Sequence, residues 1–168
     1  MKKIILSALA ICAFTFASAQ DMKFGVKGGL DLVSSSGASS TSMTGFYAGG
    51  FAEFGLSDAL TLQPGVEYHT ASKSEEVFPG YSVTYKSNFL AVPVLFKYKV
   101  AEKINLMAGP ALYYNMDSEV TTDKTRFNLE LGGSYDITEN IFVDPRYSLG
   151  LNGETKISHI LIGVGYKF

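Results

Sequence analysis

The sequence predicts an all-β chain: an eight-stranded, antiparallel, up-and-down β-barrel that spans a membrane, preceded by a cleavable signal peptide. Three observations predict it. Apolar and polar residues alternate through eight segments after Gln20, and no helical period survives there. The polar face of those segments is rich in glycine, at Gly25, Gly29, Gly49, Gly65, Gly109, Gly132, Gly163 and Gly165. A wall facing water has no need of small residues, whereas the interior of a narrow barrel must be filled without collision. Aromatics on the apolar face also sort into two levels with aliphatic residues between them, matching headgroup, hydrocarbon and headgroup. A soluble barrel of lipocalin type, with its apolar face inside, would show neither feature.

The elements follow in order. Met1-Lys2-Lys3, an apolar run from Ile4 to Phe16 and Ala17-Ser18-Ala19 make a signal peptide over 1–19, leaving 20–168 as one barrel domain. A membrane anchor needs roughly 20 apolar residues, and this run is shorter. Cys12 lies inside the apolar run behind Ile11, where a lipoprotein site wants a small residue. Cleavage after Ala19 removes the only cysteine, so the mature chain has no disulfide and no thiolate ligand. It also removes Lys2 and Lys3 from 14 basic residues, leaving 12 against 16 acidic ones, a formal charge of −4. With no basic run, nucleic acid is not an expected partner.

The strands are expected at 22–33, 44–55, 60–70, 85–100, 104–116, 126–137, 141–151 and 157–168. Tight turns at Ser57-Asp58, Glu102-Lys103 and Thr138-Glu139-Asn140 alternate with longer connections at 34–43, 71–84, 117–125 and 152–156. Short turns on a periplasmic rim and long loops outside is the outer-membrane arrangement. An even strand count places both ends of the barrel on the short-turn rim. In strand 1, Phe24, Val26, Leu30 and Leu32 oppose Lys23, Lys27 and Asp31. Strand 6 alternates most cleanly, with Phe127, Leu129, Leu131 and Tyr135 against Arg126, Asn128, Glu130 and Asp136. Strand 4 is mixed: Leu90, Val92, Val94, Phe96 and Tyr98 form one row, but Phe89 and Leu95 interrupt the other. Pro64, Pro93, Pro110 and Pro145 fall inside strands and cannot donate a ladder bond, so bulges or bends are expected at some of them.

The expected aromatic girdles are Phe24, Phe54, Tyr98, Tyr135, Tyr166 and Phe168 near the short turns, and Phe46, Tyr68, Tyr114, Phe127 and Tyr147 towards the long loops. Gly163, Tyr166 and the terminal Phe168 resemble the assembly signal of bacterial outer-membrane barrels; Leu161 departs from it, standing where that pattern favours a polar residue. The resemblance implies recognition of the C-terminal strand by the barrel-assembly machinery. Residues 45–54 (GFYAGGFAEF) running on to 60–68, and 89–98 (FLAVPVLFKY) followed by 105–110, resemble the PorT-like family of small outer-membrane barrels, and more distantly OmpX and OmpA. That resemblance covers nearly the whole mature chain and implies an eight-stranded barrel in outer-membrane lipid. Most such proteins have no assigned activity; PorT itself is associated with a protein secretion and gliding apparatus.

The inward charges are Lys23, Lys27, Lys97, Lys99, Arg126, Arg146 and Lys167 against Asp31, Glu53, Glu67, Glu130, Asp136 and Asp144. Such near balance suits a plug of paired charges better than an ion path, since conducting pores take more strands. His69 and His159 belong to no catalytic or metal-ligand motif, so no catalytic residue, metal or cofactor is expected. Gly25-Val26-Lys27-Gly28-Gly29 opens no helix and is no phosphate loop. The expected role is non-enzymatic, structural or interactive, with a protein or glycan ligand met through loops 34–43 and 71–84. The competing reading is transport, as a small-solute channel or hydrophobic conduit.

Overall fold

The structure is a computed structural model describing residues 22–36, 42–78, 81–117, 124–153 and 156–168. The expected signal peptide at 1–19 and parts of all four long connections lie outside the described residues. Eight strands run β1 (Met22–Ser36), β2 (Ser42–Gly55), β3 (Leu60–Phe78), β4 (Tyr81–Lys99), β5 (Ile104–Asn115), β6 (Thr125–Asp136), β7 (Ile141–Gly150) and β8 (Lys156–Lys167). Each pairs antiparallel with the next, and β8 pairs with β1 to close the barrel.

Side-chain alternation decides which way every strand faces. In β5 burial switches at each residue: Asn105, Met107, Tyr113 and Asn115 point in, while Leu106, Leu112 and Tyr114 point out. The mixed strand β4 obeys the same rule, since Phe89 and Leu95 are interior while Leu90, Val92, Phe96 and Tyr98 are on the outer wall. The outside is therefore a continuous apolar surface, far larger than soluble monomers expose. Closure pairs the strand edges within the protein, the condition a sheet must meet to sit in hydrocarbon.

The short turns share one construction. Leu56, Val100 and Ile137 each donate a backbone N–H to the carbonyl four residues on, at 2.8, 3.0 and 2.9 Å. In two of them a hydroxyl finishes the turn: Ser57 Oγ accepts from Leu60 N at 3.1 Å and Thr138 Oγ1 from Ile141 N at 2.9 Å. The same rim ties down the C-terminal strand, where Asn140 Nδ2 donates to the Lys167 carbonyl and Phe168 N to the Phe24 carbonyl, both at 2.8 Å.

Of the bulges or bends expected at the prolines, no bulge shifts the register there. At Pro64 the β2–β3 ladder lapses between Phe51↔Gly65 and Phe54↔Leu62, yet the offset is the same on both sides. The β3–β4, β4–β5 and β6–β7 ladders lapse likewise beside Pro93, Pro110 and Pro145, again without slipping. Each of those three remains paired on its other side, opposite Ala111, Leu129 and Ile162. Each lapse omits two residue pairs while the pleat continues. The β1–β8 closure is unbroken from Gly25↔Lys167 to Ser36↔Lys156. Carried once around by these offsets, the position of Lys23 meets β1 again at Val33, ten residues further on. That shear tilts the strands by roughly 35–45° in a barrel of this size.

Two expectations need correction. Most of 71–84 is not a loop: β3 and β4 are 19 residues each and continue as a paired ribbon from Ser72↔Lys86 to Phe78↔Tyr81, with a register irregularity at Glu76/Phe78. Crossing the hydrocarbon takes only about 9–11 tilted residues, so the ribbon stands clear of the barrel wall. Ser74 and Thr84 hydroxyls, 3.0 Å apart, clasp it. Phe54 is the other. It has the outward parity of Phe46, but only 8% of it is exposed.

Candidate functional site: the charged lumen

Tilted strands deliver inward side chains at staggered depths, so residues remote in sequence meet in layers. Nearest the short turns, Lys167 Nζ lies 2.8 Å from Asp136 Oδ1, and Asn105 Nδ2 donates to Ser134 Oγ and Asp136 Oδ2 at 3.2 Å each. Lys23 and Lys99 are exposed here, lining with Glu102, Lys103 and Glu139 a mouth cavity of about 650 Å³. One layer deeper, Lys97 Nζ meets Glu53 Oε1 at 2.6 Å, and Gln63 Nε2 donates to the same oxygen at 2.9 Å. Phe51 and Phe142 meet edge to face at 5.6 Å between centroids, with Lys27 over one ring and Lys97 and Lys167 over the other.

The middle layer centres on Arg146. Its guanidinium reaches Glu130 Oε2 at 2.7 Å, Glu67 Oε1 at 3.1 Å and Asp144 Oδ2 at 3.3 Å, and covers the Tyr47 ring. Lys27 Nζ joins from the other side, 3.0 Å from Glu67 and 3.4 Å from Asp144. Two phenols complete the carboxylates' shells: Tyr113 donates to Glu130 at 2.8 Å and Tyr47 to Asp144 at 3.1 Å. Glu67, Glu130 and Asp144 are 0% exposed. Beyond this layer His69 and His159 converge on Asp31. His69 Nδ1 is 2.8 Å from Asp31 Oδ2 and His159 Nδ1 is 3.0 Å from Oδ1. Tyr47 stacks on His69 and Tyr113 on His159, while Phe89 meets His159 edge-on.

Glycine makes this filling possible. A Cβ at Gly25 or Gly165 would strike the rings of Phe51 or Phe142, and one at Gly163 would strike the Tyr47 hydroxyl and the Asp144 carboxylate. Phe51 pairs directly across from Gly25 and Phe142 from Gly165. The glycines expected on the inner face thus clear space for Tyr47, Phe51 and Phe142, inward rings that, with Tyr113, the sequence leaves unassigned. Their inward parity was available; their depth was not. Arg126 is half-buried near the far end of β6. Among the expected girdle residues, Phe24, Phe46, Tyr68, Tyr98, Tyr114, Phe127, Tyr135, Tyr147, Tyr166 and Phe168 are all exposed on the outer wall. Tyr166 and Phe168 contact edge to face at 5.4 Å.

A closed barrel with a greasy exterior and its charged side chains buried within is the inverse of a soluble fold. Residues 4–168 match the family model described as the outer membrane protein beta-barrel domain. The chain belongs to that family. Comparison with curated sequences returned no match. Among solved structures, Neisserial surface protein A superposes with a TM-score of 0.63 at 19% identity, over 89% of this chain and 100% of that one. Ail, the attachment invasion locus protein of Yersinia pestis, gives 0.60 at 12% identity, again over 89% and 100%. OprG from Pseudomonas aeruginosa gives 0.51 at 15% identity, over 87% and 95%. As a member of the outer-membrane β-barrel family, the protein is an integral outer-membrane protein, and its exposed apolar wall is the surface in contact with lipid.

Proposed function

We propose that this is a non-enzymatic outer-membrane barrel whose lumen is sealed by side chains and which acts outside the cell through its ribbon and loops. One observation carries the reading: across the middle layer Arg146, Glu67, Glu130 and Asp144 occupy the bore and are at most 3% exposed. Side chains that meet across the bore leave no open path for a permeating ion. The paired β3–β4 ribbon supports the second half of the proposal, because it projects two strand edges beyond the wall. Ail has been crystallised with the heparin analogue sucrose octasulfate. For this chain a polyanion is a poorer match, since Lys73 and Lys86 in the ribbon are countered by Glu75 and Glu76 and the mature chain is negative overall. An uncharged glycan or a protein is the better ligand class.

The reading extends to biogenesis: cleavage after Ala19, then delivery of β8 to the assembly machinery through Gly163, Tyr166 and Phe168. Within the family, residues 45–54 and 89–98 support placement among PorT-like members. Two measurements test the functional core. Planar-bilayer recordings on purified protein should give no reproducible conductance steps; salt-dependent steps would defeat the seal and favour the channel reading. Whole cells expressing a variant with 73–85 replaced by a tight turn should keep a heat-modifiable, folded barrel while losing adhesion to host or matrix surfaces. Unchanged adhesion would remove the ribbon from the proposal.

A further inference from the structure

We propose that Asp31, His69 and His159 form an intralumenal binding site for one divalent transition-metal ion. The three side chains come from β1, β3 and β8, and one ligand atom from each lies within 4.8 Å of the others. Both imidazoles present Nδ1, not Nε2, to the same carboxylate. Two ligands bound to zinc at about 2.0–2.2 Å stand roughly 3.3 Å apart. The two carboxylate–imidazole separations, 2.8 and 3.0 Å, need open by only a few tenths of an ångström, while the two imidazole nitrogens, within 4.8 Å of each other, would close towards the same spacing.

Two independent features point to a cation here. The first is the far side of His69. Its Nε2 is buried with no hydrogen bond of acceptable geometry, yet it faces Glu67 Oε2 at 3.3 Å. A metal on Nδ1 fixes the ring proton on Nε2 and aims it at that carboxylate, the carboxylate–histidine–metal relay common in metal sites. The second is charge. The contiguous network joining Asp31, His69, Glu67, Lys27, Arg146, Glu130 and Asp144 contains four carboxylates and two basic side chains. With both imidazoles neutral it carries two negative charges in excess, where uncompensated charge is costly. One divalent ion removes both. Two imidazole nitrogens and one carboxylate oxygen suit zinc, nickel or copper better than magnesium or calcium, which prefer all-oxygen shells. Stacking against Tyr47 and Tyr113 holds both rings in place whether or not an ion is present.

The experiment uses the mature full-length barrel in detergent micelles, stripped with a chelator and titrated with zinc chloride by calorimetry. One ion should bind per barrel, with a rise in thermal midpoint, and H159Q and D31N should each weaken binding at least tenfold. E67Q should weaken it less, leaving the stoichiometry at one. Copper(II) electron paramagnetic resonance on the unmutated protein should show hyperfine splitting from two imidazole nitrogens, which keeps the proposal decidable if a variant fails to fold. Binding undiminished in the H69Q/H159Q double variant would overturn it, placing any ion elsewhere on the protein. So would absence of binding together with nitrogen-15 spectra of two doubly protonated imidazoles, since protons would then supply the missing charge.

Discussion

The two halves of the lumen bury charge by different means. On the short-turn side, contacts are nearly pairwise, Lys97 with Glu53 and Lys167 with Asp136, and Lys23 and Lys99 open onto solvent in the mouth. On the ribbon side nothing is pairwise. Arg146 is shared by three carboxylates, Glu67 by Lys27, Arg146 and His69, and Asp31 by two histidines. Counted over the whole inner face, acids and bases nearly balance; counted by depth they do not. Surplus lysine sits where water can solvate it, and surplus carboxylate sits where only neighbours can. Overall charge balance therefore says little about local cost, which is set by burial.

Substitutions should separate the halves. Arg146→Met strands three buried carboxylates at once and should destabilise the barrel by about 3–5 kcal/mol, measured by denaturant unfolding in micelles. A loss no larger than that of Lys97→Met would erase the distinction drawn here. Gly163→Ala should cost about 1–3 kcal/mol, because its Cβ needs the space held by the Tyr47 hydroxyl and Asp144. In a double-mutant cycle with Tyr47→Phe the two losses should fall short of their sum, since removing the hydroxyl frees part of that space. Lys97→Met should cost about 1–2 kcal/mol, the loss of one charged hydrogen bond near a wet cavity. Lys99→Ala, at the mouth, should leave the unfolding midpoint within error.

Much of this was legible in the sequence, and the boundary is physical. Facing is a local property with a period of two, so even β4 could be read once Lys97 fixed its sign. Partnership depends on register, which no single strand encodes, and so His69 and His159 looked unrelated until β1 brought Asp31 between them. Where the ribbon stands the sequence alone reads as a loop, since Ser72, Lys73 and Ser74 show no apolar alternation. Outside the bilayer no lipid demands one, and backbone pairing alone sustains the strands. Phe54 fails differently: parity gives direction but not what a neighbour covers. Proline reads as a defect in a strand, whereas here it interrupts the ladder for two residue pairs on one side and leaves the pitch intact.

Those missing rungs are unevenly distributed. They weaken the joints β2–β3, β3–β4, β4–β5 and β6–β7, while the joint between the first and last strands has none. A cylinder made by sewing a ribbon's two ends together would ordinarily be expected to split at the stitch. This one carries its weakest lines elsewhere, so mechanical tearing or thermal breathing should begin inside the wall and spare the suture.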